Sequence, residues 1–379
     1  MVLMYEIGQS VEDVPTPALL LDLDAFQWNI NKMFKFAKEA DVNVRPHAKT
    51  FKAAAICSKL LDAGANGIMT QKLGETEALV NSGILCGDKN ILISQEIADP
   101  WKIERLVGLS VASGEGKVIT SIENAEEAVM LSKAAMRWGV KQHVVLEITH
   151  GRCGVAPGLP AVELAKKVDS LDGLVFRGIY GYEGPVPRET ALQRNKITVD
   201  TANMIRNAGI DVEIVSAGST GTYEVTGSYP GITEIEPGSF VFGVGVEGTG
   251  YGWRSVNDVY FKPSLTVLTQ VIGANFSDRV VTDAGIKVMS GGHSGTKPVV
   301  MVKADGEPVE FERVGLSEEH GTIVFKEDSE ARKDIRWGQK LEFVPNHCCT
   351  TVNQHDNIVV IKNQRVASVW PITARGKYY

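Results

Sequence analysis

The chain has 379 residues, of which 44% are apolar and 22% charged, proportions of a folded globular protein rather than a disordered one. Its formal charge is −7, from 39 basic and 46 acidic residues, and no Lys/Arg-rich run offsets it, which argues against a nucleic-acid or anionic-membrane partner. No stretch approaches the ~18 apolar residues of a membrane span, and the opening MVLMYEIGQSVEDVPTP turns polar too early for a secretory signal. Five cysteines, Cys57, Cys86, Cys153, Cys348 and Cys349, are an odd number with one adjacent pair. They form no disulfide framework, so the expected setting is the reducing cytoplasm.

Along the chain, Pro17–Leu23 is an extended run assignable to either of two domains. From about residue 24 to 252, short apolar runs alternate with amphipathic helical stretches, at first about every 24 residues. The runs read as strands are Val42–Lys49, Gly67–Lys72, Asn90–Ser94, Lys117–Ser121, His143–Thr149, Phe176–Tyr182, Glu213–Ala217 and Glu234–Phe242. Between them lie helices such as Asp24–Ala40, with Phe26, Ile30, Met33 and Ala37 on one face, and Thr50–Ala63. Eight β-α units fit a (β/α)8 TIM barrel better than an open doubly wound sheet, and no GxGxxG follows the first strand. From 253 to 379, strand-like runs follow one another with little helix: Ser264–Val271, Arg279–Asp283, Pro298–Val302, Gly321–Phe325, Lys340–Val344, Ile358–Lys362 and Val366–Trp370. This predicts a C-terminal all-β domain, which residues 1–23 could complete.

Barrel enzymes carry their working residues just after each strand. The first strand ends in Arg45-Pro46-His47-Ala48-Lys49-Thr50, where a lysine entering the mouth is a candidate Schiff-base nucleophile. The fifth ends in a glycine-flanked Arg152 and the sixth in Tyr182-Glu183-Gly184; taken singly, each is also what a purely structural strand end looks like. The seventh and eighth end in Ser216-Ala217-Gly218-Ser219-Thr220-Gly221-Thr222 and Glu236-Pro237-Gly238-Ser239. Small-residue turns at these two positions suit a phosphate. Opposite a lysine, they point to a phosphate-bearing cofactor that forms an imine, a description that pyridoxal phosphate meets. Near the C-terminus, in Pro345-Asn346-His347-Cys348-Cys349-Thr350, an extended strand would put His347 and Cys349 on one face and Cys348 on the other. An imidazole and a thiolate suit a borderline-soft divalent ion such as zinc, with positions left open for substrate; the alternative is a satisfied histidine beside buried cysteines.

The blocks RPHAKT (45–50), QKLGE (71–75), GRCG (151–154), GYEG (181–184), GSTGT (218–222), EPGSF (236–240), DAG.K (283–287) and PNHCCTT (345–351) resemble the D-threonine aldolase/D-serine dehydratase family. These are pyridoxal-phosphate enzymes of the alanine-racemase fold type, and the resemblance runs from residue 16 to the end. It implies a barrel plus a β domain, and a homodimer. It further implies that Lys49 carries the cofactor, Arg152 faces its phenolic oxygen, Tyr182 lines the ring, and Gly221, Thr222, Gly238 and Ser239 take the phosphate. Related racemases have an arginine for the pyridine nitrogen where this chain has Glu236, which leaves the partner of that nitrogen open. By the same resemblance His347 and Cys349 hold a divalent metal, zinc before manganese or magnesium, beside the substrate.

A β-hydroxy D-amino acid at such a site has two fates. Removal of the Cα proton by Lys49 with loss of the hydroxyl gives a keto acid and ammonia; cleavage of Cα–Cβ gives glycine and an aldehyde. Cysteine at 349 resembles the dehydratases (D-serine or D-threo-3-hydroxyaspartate type), whereas GYEG resembles the aldolases, and the reading adopted is dehydratase. A racemase would need a second base and no metal, and a non-catalytic cofactor-binding protein would lack the β domain.

Overall fold

Eight short parallel strands form the first sheet: β2 (Asn43–Val44), β3 (Gly67–Thr70), β4 (Asn90–Ile93), β5 (Val118–Ile122), β6 (Gln142–Glu147), β7 (Leu174–Gly181), β8 (Ile214–Ala217) and β9 (Glu234–Ile235). The computed structural model describes residues 4–184, 186–243, 261–292 and 297–379. Hydrogen bonding runs β2-β9-β8-β7-β6-β5-β4-β3, and the ring closes where Met69 N–H donates to Pro46 O at 2.9 Å and Asn66 N–H to Val44 O at 3.1 Å. The pleat sorts the apolar side chains. Met69, Leu92, Ile119, Val145, Tyr180 and Ile214 form a cluster of their own, whereas Ile68, Ile91, Val144, Ile179 and Val215 join the larger core with the surrounding helices. The fold is a TIM barrel with a second β domain.

The helices start where the sequence supplies caps. Asp22 accepts Ala25 N–H at 2.8 Å to open α1 (Leu23–Glu39). Residues 48–50 make a single 3-10 turn before α2 (Ala54–Asp62), and α3 (Leu73–Asn81) follows β3. Asp99 followed by Pro100 opens α4 (Pro100–Ser113), and Asn124 opens α5 (Ala125–Arg137). The ring continues with α6 (Leu159–Asp169), α7 (Arg188–Asn207) and the short α8 (Tyr223–Gly227). Phe26, Ile30, Met33 and Ala37 are all buried, as their spacing requires. No described helix is long and apolar enough to cross a membrane.

The second sheet contains β1 (Ala18–Asp22), antiparallel to β10 (Leu265–Gly273) and parallel to β17 (Asn357–Lys362). Its other strands are β11 (Arg279–Thr282), β12 (Val299–Ala304), β13 (Glu307–Val309), β14 (Arg313–Leu316), β15 (Gly321–Val324), β16 (Lys340–Pro345) and β18 (Arg365–Pro371). The short helices α9 (Glu330–Asp334) and α10 (Cys348–Val352) interrupt it. Strands β13 and β14 had no counterpart in the sequence reading, because both are short and lie among charged residues. Asp283, within the DAG.K block, accepts from Thr16 Oγ1 at 2.6 Å and Thr269 Oγ1 at 2.7 Å, which ties the chain's first strand into this sheet. The expected domain boundary between residues 252 and 253 lies outside the described residues.

Candidate active site

Lys49 is not at the end of an extended strand, as Val42–Lys49 had implied. Strand β2 stops at Val44, because Pro46 has no N–H to continue the ladder. Arg45 N–H and His47 N–H donate to Ile235 O (2.9 Å) and Pro237 O (3.2 Å), and the chain then turns through Ala48–Thr50. The Lys49 Nζ lies 5.3 Å from the centroid of the Tyr182 ring, and the Arg152 guanidinium lies 5.5 Å from the same centroid. Burial lowers the Lys49 pKa; nearby Cys349 works against that, and the Arg152 charge adds to it. Burial and the Glu183 charge push the Tyr182 hydroxyl up to about 12.

The two small-residue turns lie beside this lysine. Glu183, fully buried, accepts Gly218 N–H at 2.8 Å and the hydroxyls of Thr222 and Thr226, the latter at 3.1 Å. The Thr222 hydroxyl also receives Ser219 N–H at 3.0 Å, so its side chain braces the turn from behind. Among the described residues no acceptor occupies the N–H of Gly221 or Ser239. A Cβ on Gly238 would lie 2.5 Å from Thr50 Oγ1 and 3.0 Å from His47 O, so only glycine allows this approach. Two tight turns with open N–H groups, packed against the turn whose lysine has a depressed pKa and lies over an aromatic ring, fit pyridoxal phosphate. Glu236 is buried, takes a hydrogen bond from Ser216 Oγ at 2.7 Å, and is raised to about 8 by burial.

Beneath Arg152 is a carboxyl group that the sequence reading missed. Glu147, at the end of β6, lies 3.5 Å from the Arg152 guanidinium and 3.5 Å from the Cys153 thiol, and accepts the Tyr180 hydroxyl. Burial and the adjacent Glu147 raise Glu96 to about 8. Glu96, Glu147 and Cys153 offer three ligand atoms within 4.8 Å of one another. Within this group Arg152 and Tyr180 already engage Glu147. An acidic residue closing the apolar run His143–Leu146 was its one sequence signal.

His347 and Cys349 do meet, but not on a strand. Strand β16 ends at Pro345, His347 is the N-cap of α10, and Cys349 lies in the first turn of that helix. Cys348 is buried and its sulfur lies 4.0 Å from that of Cys349. Hydrogen bonding from Cys348, with His347 and Thr50 also at its sulfur, holds the Cys349 pKa well below the ordinary thiol value. An imidazole beside a sulfur that ionises readily fits a borderline-soft divalent ion. Among the described residues no third side chain completes a ligand group with these two.

The model of the alanine racemase N-terminal domain matches residues 21–245, and that of a putative serine dehydratase domain matches residues 264–361. A 3-hydroxy-D-aspartate aldolase from Paracoccus denitrificans (strain Pd 1222) is 31% identical, across 99% of this chain and 98% of the relative. A D-threo-3-hydroxyaspartate dehydratase from Delftia sp. (strain HT23) is 27% identical, across 89% and 91%. The crystal structure of a D-threonine aldolase from Filomicrobium marinum superposes with a TM-score of 0.87 at 32% identity, covering all of both chains.

Proposed function

Because the chain belongs to the D-threonine aldolase/D-serine dehydratase family of pyridoxal-phosphate lyases with the alanine-racemase fold, we propose that it acts on a β-hydroxy D-amino acid, with a divalent metal, and that the outcome is dehydration. The observation that carries this reading is the convergence of Lys49, Tyr182, Arg152 and Cys349 at one mouth. Pyridoxal phosphate would be held by Lys49, Arg152, Tyr182, Gly221, Thr222, Glu236, Gly238 and Ser239, and the metal by His347 and Cys349; bound there, they supply an electron sink at Cα and Lewis acidity at the β-hydroxyl.

The chain's own residues account for the rest. Lys49, whose pKa burial lowers, is the base that would take the Cα proton at Nζ. Its neighbour Cys349 brings the metal pair to the same space. Arg152 is steered by Glu147 and supplies fixed positive charge beside the Tyr182 ring. Glu236 holds a proton near neutrality and so can donate it to, or share it with, the pyridine nitrogen. Loss of the Cα proton and departure of the hydroxyl as water leave an enamine that hydrolyses to keto acid and ammonia.

Cleavage to glycine and an aldehyde is the second reading, favoured by full-length similarity to aldolases at 31% and 32% identity, against 27% for the dehydratase. The test is a product assay on protein loaded with pyridoxal phosphate and, in parallel, zinc, manganese or magnesium. Keto acid plus ammonia under zinc is expected, whereas glycine plus aldehyde would select the aldolase. Lys49→Ala should lower kcat at least 10²-fold and abolish the visible band of the lysine-bound cofactor; an unchanged band would sink the role of Lys49.

A further inference from the structure

Thr50 stands where three parts of the mouth meet. It directly follows Lys49, and its N–H donates to His47 O at 3.3 Å, closing the lysine turn. Its hydroxyl lies 3.5 Å from Cys349 Sγ at the start of α10. The same oxygen would be 2.5 Å from a Cβ on Gly238, so the phosphate-side turn packs directly against it. Thr50 is only 2% exposed, which denies the hydroxyl bulk water and fixes its choice of partner.

A sulfur that binds a metal is ionised and can only accept a hydrogen bond. The Thr50 hydroxyl is then the donor, and the rotamers open to it are limited by Gly238 on one side and the turn backbone on the other. We propose that Thr50 is a positioning residue of the metal site: its hydroxyl donates to the Cys349 sulfur, aims it at the ion, and fastens α10 to the turn that carries Lys49. This rests on the reading that His347 and Cys349 hold the metal. Outer partners of this kind fix ligand orientation, and their loss typically costs about 10–100-fold in metal affinity. The inference accounts for a threonine rather than an apolar residue at a buried position whose neighbours are Gly238 and a sulfur.

The experiment titrates zinc, in competition with a chromophoric chelator, into the pyridoxal-phosphate-loaded wild type, His347→Ala, Thr50→Val and Thr50→Ser. Cofactor affinity in metal-free protein and the melting temperature are measured on each. Thr50→Val keeps the side-chain shape and removes the donor; Thr50→Ser restores it. The expected result is about 10–100-fold weaker zinc binding in Thr50→Val, recovery in Thr50→Ser, and little change in cofactor affinity without metal. Equal zinc affinity in Thr50→Val and wild type overturns the role of Thr50 while leaving the metal pair standing. Parallel losses of zinc and metal-free cofactor binding in Thr50→Val, unrepaired by Thr50→Ser, also overturn it, since they mark a purely structural residue. Equal binding by wild type and His347→Ala overturns the metal reading itself, and the inference with it.

Discussion

Glu236 illustrates what burial costs a carboxyl group with one hydrogen-bond donor. Its carboxyl has one hydrogen-bond donor in Ser216, and the Glu234 and Glu183 charges add to the effect of burial, raising it to about 8. In the unfolded chain it ionises at the ordinary carboxylate value, so between that value and about 8 the folded state binds the extra proton. Stability attributable to this group therefore falls as pH rises through that window, by up to about 1.4 kcal/mol per pH unit. Glu236→Gln removes the titration while keeping a group that can accept from Ser216. Cofactor-free Glu236→Gln should melt above wild type at pH 8 and level with it near pH 5. A constant difference at both pH values would contradict a raised pKa. Glu96, also near 8, contributes equally to both proteins and cancels in the comparison.

Among the elements, β2 and β9 are two residues long, too short to hold a barrel closed by ladder bonds alone. Arg45, the first residue of the RPHAKT block, supplies the rest. It is 2% exposed and donates to both carboxylate oxygens of Glu234, at 2.7 and 3.0 Å, and to Asn90 Oδ1 at 2.6 Å. Asn66 adds a further bond to Glu234 at 2.6 Å, so the starts of β3, β4 and β9 are joined to the end of β2. Gly67 leaves the room this needs: a Cβ there would meet the guanidinium at 2.3 Å. Removing one partner of a buried pair strands the other charge, so Arg45→Ala should lose about 3–5 kcal/mol in urea unfolding. The paired change Arg45→Met with Glu234→Leu should lose less, because it strands no charge. A loss below about 1 kcal/mol for Arg45→Ala would show that the pair is dispensable.

At the scale of the whole molecule, the first and last strands, β1 and β18, belong to the same sheet. Strand β1 lies between β10 and β17, with Ala18–Leu21 paired to Leu268–Leu265 and Leu20–Asp22 to Val359–Ile361. It then feeds directly into α1 of the barrel, where Phe26 packs edge-on against Trp370 of β18 at 6.0 Å. Thus β1 is one covalent and packing link, among the described residues, between the two parts that bring Lys49 and Cys349 together. Protein lacking residues 1–22 would expose the facing edges of β10 and β17, and exposed edges of that kind pair between molecules. Light scattering should detect aggregates, and zinc affinity should fall with the loss of α10's support. A monodisperse truncated protein with wild-type zinc affinity would refute that role for β1.

Local pattern determined much of this protein. Short apolar runs and period-3.6 stretches announced the eight strands and their helices, the change of texture announced the second sheet, and residue chemistry marked Lys49, Arg152, Tyr182, Gly238, His347 and Cys349. Those signals are local, because each depends on side chains a few positions apart. What needed the tertiary structure is where distant segments meet. The turn holding Lys49 depends on Pro46 and on bonds to Ile235 and Pro237, and the approach of His347 to Cys349 depends on a helical turn rather than an extended strand. That Glu147 lies beneath Arg152, Glu183 behind the turn at Gly218 and Thr50 beside Cys349 was not legible in the runs and blocks that hold or adjoin them. A buried polar residue takes its meaning from its partners, 299 positions away for Thr50 and Cys349, and only the folded chain selects them.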